Sequence, residues 1–166
     1  MKKILTVLLL AAATSIGNAQ DNGVPQSFKP AKAEDYAQYN KNVLQCIDWL
    51  MATPYDPASP QQQAAGAFLM QWIAGSPDVK LQLAPGIINF VGETPTLLMI
   101  FMSGWTKYTL ESKKPEDKLN GNLKGLESVI SYYEHNKEKL AENKQVEAYA
   151  DMQKKKTLKA YVEKNI

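Results

Sequence analysis

The chain has no arginine, one cysteine and one histidine among its 166 residues, and each scarcity removes a class of function. Without arginine there is no planar, multi-donor fork for bidentate contacts to phosphate, carboxylate or base edges. Lysine does not compensate, because once Lys2 and Lys3 are assigned to a leader, 17 lysines stand against 17 acidic residues. Phosphate binding by point charges needs a concentrated positive surface, so the composition speaks against nucleic acid as a partner. A single cysteine, Cys46, rules out an intrachain disulfide framework and haem attachment through CxxCH. With only His135 available, there is no histidine pair for a metal shell, and no metal ion or other cofactor is expected. The GxSxG, HExxH, P-loop and Rossmann fingerprints are also missing. Nor does any apolar run reach the roughly 20 residues that a bilayer crossing requires, so no transmembrane segment is expected in the mature chain.

What is present begins with an export pattern. Lys2 and Lys3 precede the apolar run Ile4 to Ala13, and small residues around Gly17 and Ala19 offer a cleavage site. Residues 1–19 are therefore read as a secretory signal peptide, and the mature chain is expected in the periplasm or secreted. Residues 20–32, with Gly23, Pro25 and Pro30, show no periodicity and read as a flexible N-terminal arm. Residues 33–166 have a length suited to one domain with one core.

Apolar residues in that domain recur at three- and four-residue intervals. Tyr36, Tyr39, Val43, Cys46 and Leu50 mark a helix from about Ala33 to Met51. In the next segment Ser59 can cap, Pro60 can take the first position and Gln62 sits where a capping box places its second partner. Ala65, Phe68, Leu69, Trp72 and Ile73 then form the packing side, and Gly75 reads as a left-handed stop. The stretch Leu97 to Met102 has no polar face, so the helix containing it, with Thr94 as cap and Pro95 at its start, must be covered all round. A further helix carries Leu119, Leu123, Leu126, Ile130 and Tyr133 and extends toward Leu140. Its Gly121 and Gly125 fall on one side, where a neighbour can approach closely. A last helix spans about Asn143 to Lys164 despite its polar middle, Gln153 to Thr157. Val79, Leu81 and Leu83 alternate as in a strand, which leaves a short hairpin near 79–91 as an option beside an irregular crossing. The whole predicts an all-α fold, a small irregular or orthogonal bundle of about five helices.

Candidate chemistry is sparse. His135, Glu138 and Glu142 share one side of a helix, a spacing that also describes an ordinary solvated face. Cys46 lies within VLQCIDWL, where free cysteine behaves as a small buried hydrophobe. Aromatic residues give the more positive signal. Trp49, Trp72 and Trp105 fall one in each of three helices, and Tyr132 is offset from the core-directed Tyr133. Tryptophan at helical spacing is ordinarily core, but any of these four left accessible would provide a flat contact surface. No catalytic residue is assigned. The resulting expectation is an exported, non-enzymatic interaction domain of adaptor, inhibitor or immunity type, with an envelope or extracellular protein as partner and a homodimer as a further option. The alternatives are a binding module for a small apolar or glycan-like ligand, and a hydrolase with an unrecognised site.

Overall fold

The computed structural model describes residues 21–166, and the expected signal peptide lies outside them. Six α-helices follow a 3-10 helix at Ala33–Tyr39: α1 (Asn40–Ala52), α2 (Pro60–Gly75), α3 (Thr96–Ser112), α4 (Lys118–His135), α5 (Lys144–Lys154) and α6 (Leu158–Asn165). No strand occurs among the described residues, and the fold is an all-helical bundle. None of the described helices is long and apolar enough to cross a membrane.

Side-chain caps explain where several helices begin. Ser59 Oγ accepts the Gln62 N–H at 3.3 Å, Asp117 Oδ1 the Asn120 N–H at 3.1 Å, and Asn143 Oδ1 the Val146 N–H at 3.1 Å. At α3 the expected cap is displaced. The helix starts at Thr96 behind Pro95, while the Thr94 hydroxyl receives Asn143 Nδ2 at 3.2 Å and so ties this entry to the start of α5. Gly75 is not the left-handed stop predicted for it. It is the last helical residue of α2, and the space its missing side chain leaves is filled by the Tyr36 phenol.

Two further boundaries differ from the sequence expectation. α4 stops at His135, short of Leu140, because Asn136 folds back: its Nδ2 donates to Tyr132 O at 2.9 Å and its Oδ1 accepts the Tyr55 N–H at 2.7 Å. The last helix is two. Lys156 adopts φ 59°, Thr157 N–H reaches Met152 O at 2.9 Å and Lys156 N–H reaches Gln153 O at 3.0 Å. That pair of bonds around a left-handed residue is a Schellman stop, and the polar stretch 153–157 is where it sits. The count is therefore six helices in place of five.

The hairpin option for 79–91 is not realised. A period-two strand would bury Val79, Leu81 and Leu83 together, yet Leu83 is exposed, whereas Ile87 and Phe90, three residues apart, are completely buried. Backbone acceptors that a partner strand would have satisfied are taken instead by side chains. Tyr149 Oη donates toward Ile87 O at 3.1 Å, Tyr161 Oη to Gly86 O at 2.8 Å and Asn143 Nδ2 to Phe90 O at 2.9 Å. Residues of the N-terminal arm also contact the bundle. Asn42 Nδ2 and Gln45 Nε2 of α1 donate to Gly23 O and Asp21 O, and the Phe28 ring makes edge contacts with Tyr36, Tyr39 and Phe68.

α3 packs against α1, α2 and α4, and α4 in turn carries α5 and α6. Residues Ile100 to Thr106 of α3 are buried without a break, so this helix is covered all round in its middle. Closeness to α4 comes from glycine. A Cβ at Gly121 would collide with the Trp105 indole, one at Gly104 with Ser128 Oγ, and one at Gly125 would lie 2.7 Å from the Phe101 ring. Trp105 and Phe101 meet edge to face at 6.0 Å between ring centres, filling the seam that the glycines open.

Gly121→Ala or Gly125→Ala should lower stability by about 1–3 kcal/mol through overpacking, despite the roughly 1 kcal/mol by which alanine favours a helix. Gly66 on α2 has nothing within 4 Å of its would-be Cβ, so Gly66→Ala should gain about 0.5–1 kcal/mol. Urea denaturation of the three variants checks this, and equal stabilisation in all three would contradict the close α3–α4 contact. By the same method Lys156→Gly, which relieves a left-handed lysine, should stabilise by up to about 1 kcal/mol.

Candidate functional site

The segment Thr53 to Ser59 carries Pro54 and Pro57 and leads into Pro60, so its backbone is stiff and short of N–H donors. It is held in place from three directions. Gln62 of α2 donates Nε2 to Pro54 O at 2.8 Å and accepts the Asp56 N–H at 3.1 Å, and Gln63 Nε2 donates to Pro57 O at 2.8 Å. Asn136, from the end of α4, holds the Tyr55 N–H. The Tyr55 hydroxyl lies 3.4 Å from Thr96 Oγ1 at the start of α3. Gln62 thus braces the loop, where its position had suggested a capping box.

Between this loop and the ends of α1, α2 and α3 runs a groove of about 270 Å³. Its apolar lining comes from Leu50, Met99 and Ile100, with Gly66 leaving one side open. Polar groups converge on it from Tyr55, Thr96, Tyr132, the two glutamines and Asp56, the one charged residue lining it. The Tyr132 phenol is pushed up to about 12, by burial first and by the neighbouring Tyr55 second, and it remains a neutral hydroxyl at physiological pH. The arrangement offers an apolar seat with hydrogen-bonding groups at its margin, the usual composition of a ligand site, at the small end of the usual size.

The four aromatic candidates are not brought together. Trp72 is fully buried, with its Nε1–H donated to Tyr36 O at 3.1 Å, and Trp105 is fully buried over Gly121. Neither has surface to offer a partner. Trp49 is half-buried on α1 and lines no part of the groove. Tyr132 does line it, but as a buried side chain under the loop rather than an accessible one. Tyr133 is buried as well, its hydroxyl accepting the Asn143 N–H at 2.9 Å. Tyr55, Gly66, Thr96 and Met99 were missed. The available signal was an aromatic residue between two loop prolines, followed by a glycine in the middle of a helix.

The polar cluster stays at the surface, and because α4 ends at His135, neither Glu138 nor Glu142 shares a helix with it. His135 is exposed with Nδ1 2.7 Å from Ser131 O, and since a carbonyl only accepts, Nδ1 carries the proton. Glu134 and Lys137 reach out to α5, pairing with Lys154 at 4.0 Å and Glu147 at 2.8 Å. No group of three or more metal-ligating side chains assembles among the described residues.

Cys46 is completely buried, its Sγ 3.8 Å from Ala65 O, and burial pushes the thiol up to about 12. It is packed as a core residue and is not a thiolate nucleophile at neutral pH. In the unfolded chain Cys46 and Tyr132 ionise near about 8.5 and 10. The folded state therefore holds protons that the unfolded state has released, and the stability linked to these groups is intact below about pH 8.5 and is lost as pH rises toward 12. Cys46→Ala should flatten the first part of that decline, and a thiol reagent should label the native protein only as fast as it opens. Labelling at the rate of a free thiol, or an unchanged alkaline slope in the variant, would contradict this placement.

Comparison with known proteins finds no family model, no curated protein and no solved structure that matches the chain.

Proposed function

We propose that this chain is an exported, non-enzymatic binding module that holds a small, ring-sized apolar ligand in the groove beside Tyr55. The observation that carries this reading is concavity combined with converging polar groups: an apolar floor from Met99 and Ile100, and hydroxyls from Tyr55 and Thr96 at one edge. Among the described residues only Met70, Leu83 and Ile166 are large apolar side chains with substantial exposure. That distribution favours ligand capture over a broad docking face, and so places the small-ligand reading ahead of the adaptor or inhibitor reading. Export to the periplasm or beyond rests on the leader pattern in residues 1–19. An enzymatic role has little support, since the one histidine is exposed on α4 and the one thiol is sealed in the core.

Titration with a neutral ring compound such as phenethyl alcohol, followed by amide chemical shifts, tests the reading. Binding should be saturable with Kd on the order of 1 mM, equivalent to about −4 kcal/mol, with shifts centred on Tyr55, Gly66 and Thr96. Gly66→Leu, whose side chain would enter the open side of the groove, should abolish the effect while leaving the melting temperature no lower than that of the unmodified protein. Shifts centred elsewhere, or binding undiminished in Gly66→Leu, would overturn it.

A further inference from the structure

We propose that the groove selects for a positively charged end on its ligand, so that its preferred occupant is a free aryl-alkyl ammonium. The inference rests on the groove being a ligand site. In a chain with 19 lysines, no lysine lines it, and its one charged residue is the carboxylate Asp56. The neighbouring hollow between α1, α3 and α4 is built the opposite way, with its acids neutralised: Asp48 and Glu111 pair with Lys107, and Glu127 pairs with Lys124. Asp56 has no ion pair among the described residues. Its position is nevertheless set, because its N–H is held by Gln62 and its Oδ1 accepts the Ala58 N–H at 3.0 Å. The other carboxylate oxygen, Oδ2, takes part in no hydrogen bond among the described residues and is available to a donor.

One tyrosine reinforces the preference. Tyr55, half-buried, lines the groove, and the face of such a ring attracts an ammonium group. Size sets the rest. The groove of about 270 Å³ lies at the small end of ligand sites, which restricts it to an occupant of single-ring size. Phenethylamine, a six-membered ring with a two-carbon ammonium arm, has that size. A carboxylate on the same frame meets Asp56 with like charge and finds no cation among the lining residues to receive it.

Calorimetric titration at neutral pH and low salt with phenethylamine, phenethyl alcohol and hydrocinnamate, which share ring and arm and differ in charge, tests the proposal. The amine should bind about fivefold more tightly than the alcohol, the scale of an exposed ion pair assisted by ring contact, and hydrocinnamate should bind most weakly. Asp56→Asn keeps an oxygen for the Ala58 N–H, so the loop should hold. In that variant the amine should lose its advantage over the alcohol. High salt should erase the amine preference in the unmodified protein as well, which tests the charge without any variant. Equal binding of amine and alcohol, both blocked by Gly66→Leu, would overturn charge selection and leave the groove as a ligand site. An amine preference that survives both Asp56→Asn and high salt would also overturn it. Failure of all three compounds to bind would remove the ligand reading and this inference together.

Discussion

The close approach of α3 to α4 is the constraint on which the rest of the molecule depends. Gly104 on one helix and Gly121 and Gly125 on the other bring the backbones together, and the Phe101 and Trp105 rings lie across the glycines. Interiors packed to the density of organic crystals have little give, so a pair of helices seated this way behaves as one rigid body. α1 and α2 pack against α3, while α5 and α6 pack against α4. Ser103, Thr106 and Thr109 are buried along α3 and find no hydrogen-bond partner outside it. The hydroxyls are tolerated because these small side chains fit an interior with no room for larger ones, at some cost in desolvation.

Polar side chains do in this fold much of the work that a sheet or a disulfide does in other small domains. Asn143 starts α5, holds Phe90 O and bonds Thr94, so one residue joins three parts of the chain. Asn136 ends α4 and fixes the loop at Tyr55. Both are almost completely buried, where a satisfied polar group specifies geometry and an unsatisfied one would be expensive. The ion pairs, by contrast, are all substantially exposed, including Lys80 with Glu116 and Lys159 with Glu163, and contribute little to stability individually.

The groove is a consequence of these same fixtures. Its floor belongs to the rigid α3–α4 pair through Met99, Ile100 and Tyr132, and its wall is the proline-rich loop pinned by Gln62, Gln63 and Asn136. A ligand entering it would meet a surface already ordered, so little conformational entropy remains to be lost on binding. Gly66 matters here for a reason unlike that of the α3–α4 glycines: it faces open space, and what its missing side chain provides is access.

Local chemistry in the sequence determined the helical class, the caps at Ser59 and the three- and four-residue apolar stripes, because each depends on neighbours a turn or less away in the chain. It also marked α3 as a helix covered on every side, since a turn and a half without a polar residue has no face to give to water. What it left undecided depended on partners far along the chain. Alternation in Val79–Leu83 suggested a strand until hydroxyls of Tyr149 and Tyr161, some 60 to 75 residues later, took the backbone acceptors. The end of α4 was set by the Asn136 bond to Tyr55, across 81 residues. Trp72, Trp105 and Tyr132 carry the same amphipathic chemistry wherever they stand, so which of them meets solvent, a groove or the core was decided only when α3, α4 and the loop at Tyr55 came together.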